Sequence, residues 1–170
     1  MALNLKSTKD RPKGRERFFF IGDMSSGKTL SAATFDDPVW IQPVGEDSVD
    51  TLTKRGMDVP VIYVGGPANP SLGTSGSVIK DVYKVLDELL AQQKVDPEGL
   101  PGQTLVWDGC SHLGDMLVSE IAAGNIKDPG EMNQRLWGDV RDVWSRIQQI
   151  CWQIDMHIVF IAHPHIETAQ

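Results

Sequence analysis

Phe18-Phe19-Phe20-Ile21-Gly22-Asp23-Met24-Ser25-Ser26-Gly27-Lys28-Thr29 is the stretch that decides the fold. Four apolar residues run into an octet of the form G-x-x-x-x-G-K-[ST], the phosphate-binding P-loop. The spacing has a physical cause. Gly22 and Gly27 let the backbone curl so that its N–H groups face phosphate oxygens, with Asp23, Met24, Ser25 and Ser26 between them. A helix that starts there adds its positive N-terminal end. Lys28 is then placed to reach the β- and γ-phosphates, and the Thr29 hydroxyl to bind Mg²⁺. The flanks agree: Phe18–Ile21 reads as a buried strand, and Leu30–Phe35 as a helix stopped by Asp36-Asp37-Pro38.

Outward from this stretch, 170 residues suggest one domain with a sizeable core. Hydrophobic residues at 41% and charged residues at 23% fit a globular chain rather than a disordered one. No apolar run approaches the roughly 20 residues that span a membrane, and the N-terminus lacks a signal peptide's apolar core. Cys110, in an expected turn, and Cys151, in an expected helix, read as free thiols of a reducing compartment, so the cytoplasm is the expected location.

The net charge of −7 is uneven. Residues 1–17 hold six basic side chains against two acidic ones, a surplus of four, so the remainder carries −11. Residues 1–16 read as a flexible basic arm and residues 17–170 as the folded domain. Such an arm suits nucleic acid or an acidic neighbour, whereas the acidic body argues against nonspecific binding of duplex DNA.

Further strands are expected over Val39–Gln42, Val59–Val64, Thr104–Asp108 and His157–Ala162, each short and continuously apolar. Between them, helices are expected over Ser48–Arg55, from Ser77 to about Leu90, over Ser111–Ala123 and over Glu131–Ile154. Residues 65–76, rich in Gly, Pro, Ser and Asn, read as a long mobile loop, and 124–130 as a polar one. Trp137, Trp144 and Trp152 flank the apolar stripe of the last helix; packing is their plain reading, and base stacking or a subunit contact the alternative. Buried strands separated by helices predict an α/β fold: a three-layer α/β/α sandwich on a mainly parallel five-strand sheet, as in RecA-like P-loop NTPases.

Ligands in such sheets lie at the C-terminal ends of the strands. Four groups follow strand ends here: the P-loop, Glu46, Asp108 and His163. Asp108, after an apolar run some 80 residues past the P-loop, fits the Mg²⁺-side (Walker B) aspartate. Hydrolysis also needs a group that orients or deprotonates water. Gly109 follows Asp108, so the Asp-Glu pair of many ATPases is missing, and Glu46 is the best replacement, with Asp47 behind it. His163 is placed to touch the γ-phosphate. His163, His165, His112 and Cys110 match no usual zinc spacing.

The P-loop after an aromatic strand, Val106-Trp107-Asp108-Gly109, Leu136-Trp137-Gly138 opening a long helix, and Ile158-Val159-Phe160-Ile161-Ala162-His163 together resemble the phage-encoded AAA-domain nucleotide-binding proteins. These are RecA-like P-loop ATPases that include the Sak-type single-strand annealing proteins. The resemblance implies binding of ATP and Mg²⁺, assembly into homo-oligomeric rings or filaments, and a role with single-stranded DNA in phage recombination, inside the host cytoplasm. It also implies that Lys28 and Thr29 carry nucleotide and Mg²⁺, that Asp108 is the Walker B acid, that Glu46 corresponds to the glutamate after the second strand, and that His163 is the sensor. Members usually carry at least one more strand after the sensor strand, so residues 17–170 are expected to be short of the family's last strands.

Two other classes share the P-loop. One is a non-catalytic module that holds nucleotide for structure or assembly. The other, a small-molecule kinase, needs an arginine-rich lid, whereas Arg135, Arg141 and Arg146 fall on the long helix. A GTPase is disfavoured, since the aspartate of Thr53-Lys54-Arg55-Gly56-Met57-Asp58 comes two residues too late for guanine recognition. Arg55, Arg135 and Arg141 are candidates for an arginine acting in trans.

Overall fold

A computed structural model describes residues 15–123 and 133–164. In chain order they form β1 (Arg17–Ile21), α1 (Lys28–Ala32), β2 (Pro38–Pro43), α2 (Ser48–Thr53), β3 (Val61–Val64), α3 (Val78–Val95), β4 (Thr104–Trp107), α4 (Cys110–Ala123), α5 (Gln134–Cys151) and β5 (His157–Ala162). The strands make one sheet in the order β1-β5-β4-β2-β3, and every pairing is parallel. The expected three-layer α/β/α architecture is therefore present, with a sheet that is wholly parallel among the described residues.

Successive strand residues point to opposite faces, which sorts the apolar runs into two cores. Trp40, Val106, Val159 and Ile161 face Ala32 of α1 and Leu52 of α2. Val39, Ile41, Leu105, Trp107, Ile158 and Phe160 face α3, α4 and α5 through Val82, Leu86, Leu113, Leu117 and Ile147. Strands buried on both sides cannot alternate polar with apolar, hence their continuous hydrophobic sequences. The two edge strands are less covered: β3 is only partly buried over residues 61–63, and β1 departs furthest. As an edge strand, it leaves Phe19 and Ile21 more than half exposed.

Several boundaries differ from the sequence reading. α1 ends at Ala32, not Phe35, because the chain turns through Asp37 with φ 43° to enter β2. Ser48 begins α2 but does not cap it; Asp47 holds the N-cap position without a side-chain bond. Cys110 opens α4 rather than lying in a turn. α5 starts at Gln134, capped by Asn133, whose side-chain Oδ1 accepts from the Arg135 and Leu136 N–H groups at 3.0 and 3.1 Å. It stops at Cys151, where Arg17 takes over: its guanidinium donates to the carbonyls of Met156, Cys151 and Ile154 at 2.8, 3.2 and 3.3 Å.

Arg15 and Glu16, read as the end of a flexible arm, are tied to the start of β5. Arg15 pairs with Asp155 at 3.0 Å, and the Glu16 N–H donates to His157 Nδ1 at 3.2 Å. The loop 65–76 is not a slack connection. Asn69 and Thr74 bridge across it, and the buried Asp81 carboxylate accepts from the N–H groups of Gly65 and Ser75 at 3.0 and 2.9 Å. The rest of the basic arm, the loop expected over 124–130, the expected helix start at Glu131 and His165 lie outside the described residues. No helix among the described residues is long and apolar enough to cross a membrane.

Candidate nucleotide-binding site

Parallel pairing brings the C-terminal ends of β1, β5, β4 and β2 to one edge of the sheet. β5 lies between the strand that carries the P-loop and the strand that leads into Asp108. The register sets Ile21 beside Ala162 and Trp107 beside Phe160, so the three chain ends emerge side by side.

The P-loop wraps its own lysine. Ser25 and Gly27 adopt φ of 62° and 87°, and α1 begins at Lys28. Lys28 Nζ donates to the carbonyls of Gly22 and Asp23, both at 2.7 Å, and to Ser26 Oγ at 3.3 Å. A Cβ on Gly22 would meet Ser26 Oγ at 3.1 Å, so a side chain there would crowd this cradle. The ammonium also lies 3.3 Å from His163 Nδ1, the residue that follows β5 by one position.

Asp108 is nearly fully buried and held by two neutral donors. Thr29 Oγ1 donates to its Oδ2 at 3.1 Å, and Trp40 Nε1 to the same oxygen at 3.3 Å. A hydroxyl and a carboxylate that close, beside a phosphate cradle, are the oxygen donors that a small hard cation uses when substrate phosphates supply part of its shell. The donor set thus fits Mg²⁺. Among the described residues no group of three or more His, Cys, Asp and Glu side chains could hold a metal ion by itself.

β2 runs one residue further than expected, through Pro43, so Val44 and Gly45 alone separate it from Glu46, and a tight turn brings that residue back. The Glu46 N–H donates to the Pro43 carbonyl at 3.1 Å, and its own carbonyl accepts from the Gln42 side-chain amide. Glu46 thereby lines one cavity of about 460 Å³ with Asp23, Met24, His163 and Pro164. That size suits a small ligand. A second cleft, lined by Glu16, Thr34, Phe35, Asp36, Thr104 and His157, opens at the other edge, by the N-terminal ends of the strands.

The octet Gly22–Thr29, Glu46, Asp108 and His163, the four groups expected to follow strand ends, gather at the first edge. Two further residues fix them, and the sequence offered little sign of either. The Ser111 hydroxyl donates to the His163 carbonyl at 2.9 Å and accepts from the His163 N–H at 3.0 Å. Trp40 orients Asp108 and reads, in the sequence, only as another core aromatic. Cys110 lies beside them as an inert thiol. Burial first, with the Asp108 carboxylate adding to it, pushes its pKa up to about 12.

The family model described as AAA domain matches residues 15–170. A search of curated proteins finds no match. Among solved structures, a KaiC-like protein from the hyperthermophilic archaeon Pyrococcus horikoshii OT3 is similar at TM-score 0.48 and 15% identity, over 91% of this chain and 66% of that one. A prototypical ATPase from the type III secretion system of pathogenic bacteria is similar at TM-score 0.49 and 12% identity, over 91% of this chain and 46% of that one. This chain therefore spans less than two thirds of either. With the family match covering nearly all of the sequence, and a P-loop, a wholly parallel sheet and a buried aspartate meeting at one edge, the chain belongs to the AAA domain family and has the RecA-like P-loop NTPase fold.

Proposed function

We propose that this protein binds ATP with Mg²⁺ at the P-loop edge and hydrolyses it. The observation that carries the reading is the hydrogen bond from Thr29 to Asp108 at 3.1 Å, which joins the P-loop helix to a strand that is not its neighbour. In this reading Lys28 binds the β- and γ-phosphates, and Thr29 with Asp108 holds the cation. Mg²⁺, when bound, neutralises charge on the phosphate oxygens. Glu46 orients the attacking water from the side of the cavity it shares with His163. His163 reports on the γ-phosphate through its 3.3 Å contact with Lys28.

The same proposal places the protein with single-stranded DNA in recombination, as a homo-oligomer in the cytoplasm of a phage-infected host. The resemblance to the Sak-type proteins supports this part, and so do Trp137 and Trp152. Trp137 on α5 and Trp152 just past its end are both more than half exposed, so they are free to stack on bases rather than committed to the core. Loop 65–76, with no Lys or Arg and its backbone bonded internally, offers less to a phosphate chain than the basic arm does.

The experiment is steady-state ATP hydrolysis with and without single-stranded DNA, beside Lys28→Ala. Hydrolysis that rises with DNA and vanishes in the variant supports the whole reading. Hydrolysis indifferent to DNA removes the recombination role and keeps the ATPase. A nucleotide-holding assembly module is the second reading, favoured by Phe19 and Ile21 lying exposed on the edge strand β1. Tight nucleotide binding without hydrolysis would establish it.

A further inference from the structure

β2 and β4 are neighbours, and their ends bring Glu46 against Gly109. Gly109 follows Asp108 directly and adopts φ +81°, a left-handed conformation. A Cβ placed on it would lie 2.9 Å from Glu46 Oε2, 3.1 Å from Cγ and 3.3 Å from Cδ. One side chain, carboxylate end included, fills the space that any other residue at 109 would need. The Glu46 backbone is held in place, so it is the side chain that would have to swing away. Its N–H is bonded to Pro43, and its carbonyl to Gln42, a side chain only 2% exposed.

We infer that Gly109 is a positioning residue: by lacking a side chain it admits the Glu46 carboxylate to the place beside Asp108. Position 109 is where many ATPases carry a glutamate directly after the Mg²⁺-side aspartate. In this chain the carboxylate arrives from the neighbouring strand, and the glycine is the other half of that exchange. The two positions form one unit. A side chain at 109 displaces Glu46 while the P-loop, Lys28 and Thr29 keep their own bonds. The inference rests on the reading that Glu46 orients the attacking water.

The test uses Gly109→Ala, Gly109→Asn, Glu46→Gln, Glu46→Gly and the corresponding double variants. Asn visits the left-handed region more readily than Ala, so Gly109→Asn separates crowding from backbone strain. For both Gly109 variants kcat should fall about 100-fold, the loss typical of a group misplaced by about an ångström. Affinity for a fluorescent ATP analogue should stay within about twofold, since the cradle is untouched. In the Glu46→Gln background, Gly109→Ala should lower kcat by less than about threefold more, because residues acting as a unit are not additive.

Thermal unfolding without nucleotide supplies a second readout. Gly109→Ala should lower Tm less in the Glu46→Gly background than in the unaltered chain, because the crowding partner is gone. An unchanged kcat in Gly109→Ala, an equal loss of nucleotide affinity, or additive losses in both cycles would overturn the inference. Failure of the underlying reading shows elsewhere: Glu46→Gln would keep its kcat, or the unaltered chain would not hydrolyse ATP.

Discussion

Thr29 and Asp108, 79 residues apart in sequence, meet at 3.1 Å although β5 separates their strands. The contact ties the P-loop helix to the end of β4. Asp108→Asn keeps the shape of the side chain and an acceptor for Thr29 and Trp40, but removes the charge. Hydrolysis should fall by about 100-fold or more, the scale of losing one preorganised electrostatic partner. The affinity for an ATP analogue should lose its dependence on Mg²⁺, read by titration with and without the cation. Thermal unfolding should move by only a few degrees.

Ser111 holds His163 by both main-chain groups. Ser111→Ala removes both bonds and should destabilise the protein by about 1–3 kcal/mol, the range for buried groups left without a partner. The β5 end and its histidine should then loosen. A drop in kcat larger than the change in nucleotide affinity, measured on folded protein, checks this. His163→Gln with Ser111 intact should reproduce the kinetic change without the loss of stability.

Asp81 matters to the fold rather than to the cavity. Its buried carboxylate takes two N–H groups of the loop after β3. Asp81→Ala strands those donors and should lower stability by about 3 kcal/mol. Denaturant unfolding measures the loss, and protease cleavage within residues 65–76 should appear with it. Asp81→Asn should lose less, because one acceptor oxygen survives.

Burial pushes both cysteine thiols from their ordinary 9.0 up to about 12. A thiol whose folded pKa is raised stays protonated while the unfolded chain ionises. Its contribution is fully present below pH 9.0 and is lost as pH rises from there towards about 12. Stability should therefore fall across that alkaline window, and less steeply in Cys151→Ala. At pH 8 neither thiol should react with an alkylating reagent until denaturant is added.

Arg17 spans the gap between the edge strand and the end of α5 by donating to three carbonyls. Arg17→Lys keeps the charge but not the fork, so it should lose about 2 kcal/mol of stability rather than act as a silent exchange. Equilibrium urea unfolding decides it. ATP-analogue affinity should be unchanged, because the strand's other end carries the P-loop.

Local sequence determined much of this protein. The octet Gly22–Thr29 needs only glycines at fixed spacing, a lysine and a hydroxyl, so it is legible without knowing what surrounds it. Five apolar runs split by helical patterns were enough for a parallel sheet between helices, because strands buried on both faces leave no other pattern. Helix ends were less legible. Arg17, distant in sequence, takes the carbonyls past Cys151, and the turn into β2 cuts α1 short.

The meeting of distant groups belonged to the tertiary structure alone. That β5 inserts between β1 and β4, and so brings His163 to Lys28, follows from strand order, which local periodicity does not encode. Glu46 stands three residues past β2 in the sequence. Only the turn closed by Gln42, and the absence of a side chain on Gly109, give its carboxylate a place in the cavity. Sequence supplied the chemical groups through local backbone geometry and composition; packing and strand order decided which of them face one another.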